Sequence, residues 1–183
     1  MAKIKWLIDP THSELGFRVK HLMITNVSGS FSEYEVVALT ENEDFRTAQI
    51  YAKIKTATIS TNNAQRDQHL RNIDFFDVEL YPEICFKSDR IEPVSDDQFI
   101  LYGNLTMKSV TGPVTLNVEF SGPTTDPWGG RRAGFVITGK VKRSEFGLNF
   151  NSVLDSGGLA LGEDVKIHCE IQLVKQDEYK TAV

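Results

Sequence analysis

The feature that most limits what this chain can fold into is an apolar/polar alternation of period two that returns along most of its length. Successive side chains of a β-strand point to opposite faces, so such alternation marks strands with one apolar face. Leu15, Phe17 and Val19 alternate with Glu14, Arg18 and Lys20. Ala48, Ile50, Ala52 and Ile54 alternate with Thr47, Gln49, Lys53 and Lys55. Ile84 and Phe86 repeat the pattern, as do Phe99, Leu101, Gly103, Leu105 and Met107. Val114, Leu116, Val118 and Phe120 follow, then Phe135, Ile137, Gly139 and Val141, and finally Val165, Ile167, Cys169, Ile171 and Leu173. Residues 28–40 read as one more strand with weaker alternation. The total is about eight strands.

Turn-forming clusters separate them: Glu41-Asn42-Glu43-Asp44, Glu92-Pro93, Ser95-Asp96-Asp97, Thr111-Gly112-Pro113 and Asp126-Pro127-Trp128-Gly129-Gly130. The gaps are short, so neighbouring strands should pair antiparallel. Long amphipathic helices between strands are missing, which argues against a parallel α/β sheet. Eight antiparallel strands with one apolar face can split into a sandwich or close into a barrel, and a barrel also removes the sheet edges. The expectation is an all-β, eight-stranded antiparallel barrel formed by residues 1–175, followed by a polar tail over 176–183. A barrel of eight strands has an interior just wide enough for side chains or one small ligand. Ala48, Ala52, Gly103 and Gly139 are small residues on the inward face and point to a cavity, unless larger neighbours such as Phe99, Phe120 and Phe135 fill the space.

One segment departs from the alternation. Residues 62–73, NNAQRDQHLRNI, read as a short helix capped by Asn62 or Asn63 and placed to plug one barrel end. Its spacing predicts that Leu70 and Ile73 face one side and that Asp67 pairs with Arg71. The mix of Arg66, Asp67, His69, Arg71 and Asp74 resembles catalytic chemistry in composition only. No G-x-S-x-G nucleophile motif occurs. Asp67 and His69 are two apart and diverge on a helix, and His12, His21, His69 and His168 include no H-x-x-x-H pair, so no metal site is expected. Gly157–Gly162 lacks the lysine of a P-loop and reads as a loop. Buried hydrogen bonding is the commoner role for such a cluster. No catalytic residue and no cofactor are assigned.

The 183 residues carry 40% apolar and 25% charged side chains, enough for one sizeable core. A net charge of -5 without a basic run longer than Arg131-Arg132 argues against nucleic acid as a partner. No segment approaches the roughly 20 apolar residues of a membrane span, and Trp6-Leu7-Ile8 is too short for a secretory core. The expected location is cytoplasmic, or periplasmic if a signal has been trimmed. Cys85 and Cys169 sit alone in apolar runs and read as buried thiols, not as a disulfide framework.

The residues also resemble a known family. Trp6, Ile8-Asp9-Pro10-Thr11-His12-Ser13, Phe17 and Val19-Lys20-His21-Leu22 are similar to the opening of the YceI-like family. Arg66-Asp67, His69-Leu70-Arg71 and Asp74-Phe75-Phe76 match its second signature. Tyr81-Pro82, Gly103-Asn104-Leu105-Thr106, Pro113-Val114, Asp126-Pro127-Trp128-Gly129, Arg132-Ala133-Gly134-Phe135, Arg143 and Phe146-Gly147 continue the match in order. The resemblance implies an extended, lipocalin-like eight-stranded barrel with one or two short helices. It also implies a polyisoprenoid, or another long-chain lipid such as a prenyl phosphate or quinone, bound in the pore for transport, storage or sequestration.

On that reading the inward residues Phe17, Val19, Ile50, Ala52, Ile54, Phe86, Leu105, Met107, Leu116, Val118, Phe135 and Ile137 are the pore wall. His21, Arg66, Arg71 and Arg143 are candidate head-group donors, although an ion pair with a nearby aspartate is the commoner role for each arginine and the one expected first. Two rivals are a lipid-modifying isomerase or cyclase, which would need His69, His21 or Glu145 inside the pore, and a ligand-free stress or scaffold protein with a filled core. The apolar Leu22-Met23-Ile24 would suit the interface of a homodimer.

Overall fold

Inward apolar faces and short turns produce a closed antiparallel sheet. The computed structural model describes residues 2–177. Its strands are β1 (Lys3–Ile8), β2 (Glu14–His21), β3 (Thr25–Phe31), β4 (Tyr34–Glu41), β5 (Asp44–Lys55), β6 (Ile59–Ser60), β7 (Glu83–Pro93), β8 (Gln98–Met107), β9 (Val110–Thr125), β10 (Arg131–Lys142) and β11 (Leu161–Lys175). One helix, α1, spans Ala64–Arg71. The barrel order is β1-β4-β5-β7-β8-β9-β10-β11, and β11 returns to β1 through Trp6 opposite Lys175 and Ile8 opposite Leu173. This is a closed eight-stranded antiparallel barrel with a lipocalin-like layout. Among the described residues, no helix is long and apolar enough to cross a membrane.

Two chain segments bend and serve two parts of the barrel. β1 and β2 lie end to end along β11, with β2 continuing from Cys169 opposite Leu15 to Val165 opposite Val19. The bend between them is built on Asp9, which accepts from the Thr11 amide at 2.9 Å and the Thr11 hydroxyl at 2.6 Å. Asp9 also meets His12 Nδ1 and accepts from Arg132 Nη1, while Arg132 Nε donates to Asp126. These donors hold the Asp9 carboxyl well below the usual carboxylate range, the Thr11 hydroxyl contributing most. β3 and β4 break in the same manner at Ser32-Glu33, so residues 28–40 are two strands, not one. β4 pairs with β1 and β5, whereas β3 pairs with β2 and the two-residue β6. Below Tyr34 and Ile54, therefore, β3 and β5 part, and residues 56–82 with α1 occupy the gap.

The helix forms where its cap predicts: Asn63 Oδ1 accepts from the Arg66 amide at 2.9 Å. Three expectations are corrected. Asp67 does not pair with Arg71. It is buried and accepts from both the amide and the hydroxyl of Thr61, and Arg71 donates instead to the carbonyls of Ala57 and Ile59. Segment 57–61 has little ladder pairing, so its backbone groups take side-chain partners. Ile73 does not share a face with Leu70, because α1 ends at Arg71; Ile73 is 76% exposed. Thr111-Gly112-Pro113 is no turn but lies inside β9, and the reversal falls on Lys108-Ser109, with Lys108 at φ 53°. Asn104 lies opposite Pro113 in the β8–β9 ladder. Of the tail over 176–183, residues 178–183 lie outside the described residues.

Candidate functional site: an apolar bore in two chambers

Closure leaves unfilled space along the axis. A lower cavity of about 380 Å³ lies beside α1. An upper cavity of about 180 Å³ lies between β4–β5 and β8–β10. Leu15, Ile54, Leu105, Ile167 and Cys169 line both and form the waist between them.

The structure brings all twelve wall residues to this bore. Ile50, Ala52, Phe86, Leu116, Val118, Phe135 and Ile137 line the upper cavity. Phe17, Val19 and Met107 line the lower one, and Ile54 and Leu105 line both. The glycines do not supply the room. The Phe86 ring already covers Gly103, 2.5 Å from where a Cβ would sit, and Leu116 covers Gly139 at 2.6 Å. Ala38, Ala48 and Ala52, which also line the upper cavity, leave the space.

Aromatic rings close the upper end. Phe45 lies 4.8 Å from Trp6, 5.3 Å from Phe120 and 4.9 Å from Phe135, centroid to centroid. Trp6 is fully buried, and its indole N–H donates to Thr40 Oγ1 at 3.0 Å. Here aromatic area and a satisfied polar tip coincide.

The lower chamber differs in chemistry. His21, Arg66 and Arg143 line it, and Arg71 does not. Among the described residues, no aspartate forms an ion pair with Arg66, Arg71 or Arg143, so the expected ion pairs are replaced by other partners. Arg66 donates to the hydroxyl and carbonyl of Thr61, whose hydroxyl in turn donates to Asp67. Arg143 is buried and donates to the carbonyls of Gly162, Leu148 and Phe150. Burial draws its pKa down from the ordinary guanidinium value, and the nearby Glu163 opposes that shift. These bonds fix the loop that carries Leu148 and Phe150 against the cavity.

Of the titratable groups that an enzyme would need, His21 and His69 line the lower cavity, whereas Glu145 is exposed on the turn after β10. His69 meets Asp74 Oδ2 at 2.8 Å and lies edge-on to Phe75 and Phe150. Among the described residues, no hydroxyl or thiol is hydrogen-bonded to His69. Among the described residues, no three His, Cys, Asp or Glu side chains converge as a metal site would require. Cys169 faces the bore, and burial pushes its thiol pKa up to about 11. Cys85 points the other way, and both thiols are free. Leu22, Met23 and Ile24 stand exposed at the tip of the β2–β3 hairpin.

Leu70 of α1 lines the lower cavity, and periodicity did not reach the part of its lining drawn from irregular chain: Phe75, Phe76, Leu148, Phe150 and Ala160. Only Phe75-Phe76, next to a helix that suggested a plug, carried a signal in the sequence.

A closed antiparallel barrel around a chambered apolar bore defines a lipocalin-like barrel protein. The chain belongs to the YceI-like domain family, whose profile matches residues 6–173. A UPF0312 protein of Staphylococcus aureus is 37% identical over 165 residues, covering 90% of this chain and 94% of that one. The Campylobacter jejuni YceI protein superposes with a TM-score of 0.75 at 28% identity, covering 86% of this chain and 90% of that one. Two more distant structures share the fold. Burkholderia cenocepacia BcnA has a TM-score of 0.78 at 19% identity and covers 90% and 98% of the two chains. A polyisoprenoid binding domain from Saccharophagus degradans has a TM-score of 0.65 at 14% identity and covers 92% and 97%.

Proposed function

We propose that the protein binds a long-chain amphiphilic lipid of polyisoprenoid type along the bore and performs no chemistry on it. The observation that carries this reading is the bore itself. Its two chambers share a waist of five side chains, and the lower chamber alone falls in the roughly 300–1,000 Å³ range of small-molecule sites. Membership in the YceI-like family supports it. A branched hydrocarbon suits a lining of leucine, isoleucine, valine and phenylalanine. Burial contributes about 0.8 kcal/mol per carbon, so ten buried carbons give about 8 kcal/mol before ordering costs, which corresponds to a roughly micromolar Kd.

The head group sits in the lower chamber, where His21, His69, Arg66 and Arg143 are the polar side chains at hand. Both guanidinium groups already hold backbone or hydroxyl oxygens, so they meet a head group with their remaining N–H groups. Among the described residues, the only polar side chain that bonds His69 is Asp74, an arrangement that suits orienting a head group.

Titration with a prenyl alcohol and a prenyl quinone tests the reading. Saturable, stoichiometric binding is expected for the wild type, and Phe135→Asp, which places a carboxylate in the upper cavity, should weaken it about a hundredfold. Equal binding by a folded Phe135→Asp protein would remove the bore as the site.

A further inference from the structure

The upper cavity is separated from solvent by a layer of phenylalanine one ring thick. Outside the barrel end lies a surface pocket of about 600 Å³, lined by Glu43, Asp44, Arg46 and residues 93–96. Phe45 and Phe99 line both this outer pocket and the upper cavity. Phe120 faces only the outer pocket, and Phe135 only the cavity. The rings brace one another, Phe99 against Phe120 at 5.8 Å and Phe120 stacked on Phe135 at 5.2 Å. Phe45 and Phe99 are both buried.

We propose that Phe45 and Phe99 form an end stop that sets the longest hydrocarbon chain the bore accepts. The proposal rests on the lipid-binding reading above and specifies the lipid by length. From Phe99 to Met107 the inward side of β8 covers about 26 Å of strand, or about 20 Å along the axis at an ordinary barrel tilt. Each carbon added to a chain gains by leaving water only while it finds apolar wall. Once the terminal carbons touch Phe45 and Phe99, the next isoprene unit has two routes. It can displace a buried ring into a pocket rimmed by Glu43, Asp44, Arg46 and Asp96, or it can remain outside the lower chamber in water. Neither adds affinity. Binding therefore strengthens with chain length up to a cutoff and then levels off or falls.

Two variants move the cutoff in opposite directions. Phe99→Ala joins the cavity to the space beyond the stop and should admit at least one further isoprene unit, with about a tenfold gain for the first prenol past the wild-type cutoff. Ala48→Leu fills the upper cavity below the stop. It should lose about tenfold for the cutoff prenol and leave the shortest prenol unchanged. Opposite shifts cannot arise from general loss of stability, and Phe99→Leu serves if Phe99→Ala does not fold. The experiment is a calorimetric titration with geraniol, farnesol, geranylgeraniol and longer prenols. Opposed movement of the cutoff in the two variants supports the end stop. Prenol binding with one cutoff in all three proteins overturns the end stop and leaves the lipid-binding reading intact. No binding of any prenol by the wild type removes both.

Discussion

The two ends of the barrel are closed by different chemistry. At the upper end the plug is made of apolar rings, Trp6, Phe45, Phe99, Phe120 and Phe135, set beside the gap that opens where β5 and β7 stop pairing above Tyr51 and Lys87. At the lower end β3 and β5 have parted, and the gap is filled by residues 56–82 and by the loop after β10. There the plug is held by side-chain donors on backbone carbonyls, from Arg66, Arg71 and Arg143. The difference teaches what the arginines of the RDQHLR signature are for. At the upper gap one side-chain acceptor, Ser88 Oγ, meets the Ile50 amide, and apolar rings close the rest of the ladder-bonded end. Where the ladder lapses at the lower end, buried carbonyls need donors, and a guanidinium group supplies several from one side chain.

The largest break in this comparison should come from Trp6→Ala, which empties the best-packed site of the upper end. It should cost about 3–5 kcal/mol in chemical denaturation. Arg143→Met should come next, at about 3 kcal/mol, because three carbonyls lose one shared donor. Hydrogen exchange sharpens the contrast: Arg143→Met should speed exchange over 148–162 and leave β1 and β4 as in the wild type, whereas Trp6→Ala should do the reverse.

Smaller effects follow at the bend in β1–β2. The folded pKa of Asp9 lies below its unfolded value, so this carboxylate stabilises the fold above about pH 4. That contribution is lost as pH falls through the folded value. Asp9→Asn should therefore cost about 1 kcal/mol at pH 7 after allowance for solvent screening, and the gap from wild type should close toward pH 2. Denaturation at a series of pH values checks it, and a gap that widens in acid would contradict the assignment. The smallest perturbation is chemical. Cys169, with its raised pKa and its place in the bore, should react with a thiol reagent far more slowly than Cys85 at pH 8, and bound lipid should slow it further.

The same contrast explains what could be read from the sequence. In the ladder-bonded part, alternation alone identified the inward residues, and Phe17, Ile54, Leu105, Phe135 and their neighbours all line the bore. The helix cap at Asn63 was legible because capping is local. Partners in the lower plug were not. Asp67 and Arg71 have the spacing of a surface pair, yet each turns toward segment 57–61, whose unmet polar groups follow from the departure of β3 from β5. That departure is a property of the whole sheet, and no local spacing encodes it. Phe150 is hidden for the same reason, since it lies in a loop placed by Arg143. The bend that splits 28–40 into two strands leaves no mark stronger than weakened alternation.

The most direct test of a lipid-filled bore is the mass of the protein as purified, recorded under native conditions, followed by solvent extraction and identification of what is released. Added mass matching a stoichiometric prenyl, quinone or related long-chain species is expected. A clean apo mass that stays unchanged after incubation with prenyl lipids would contradict a lipid-filled bore.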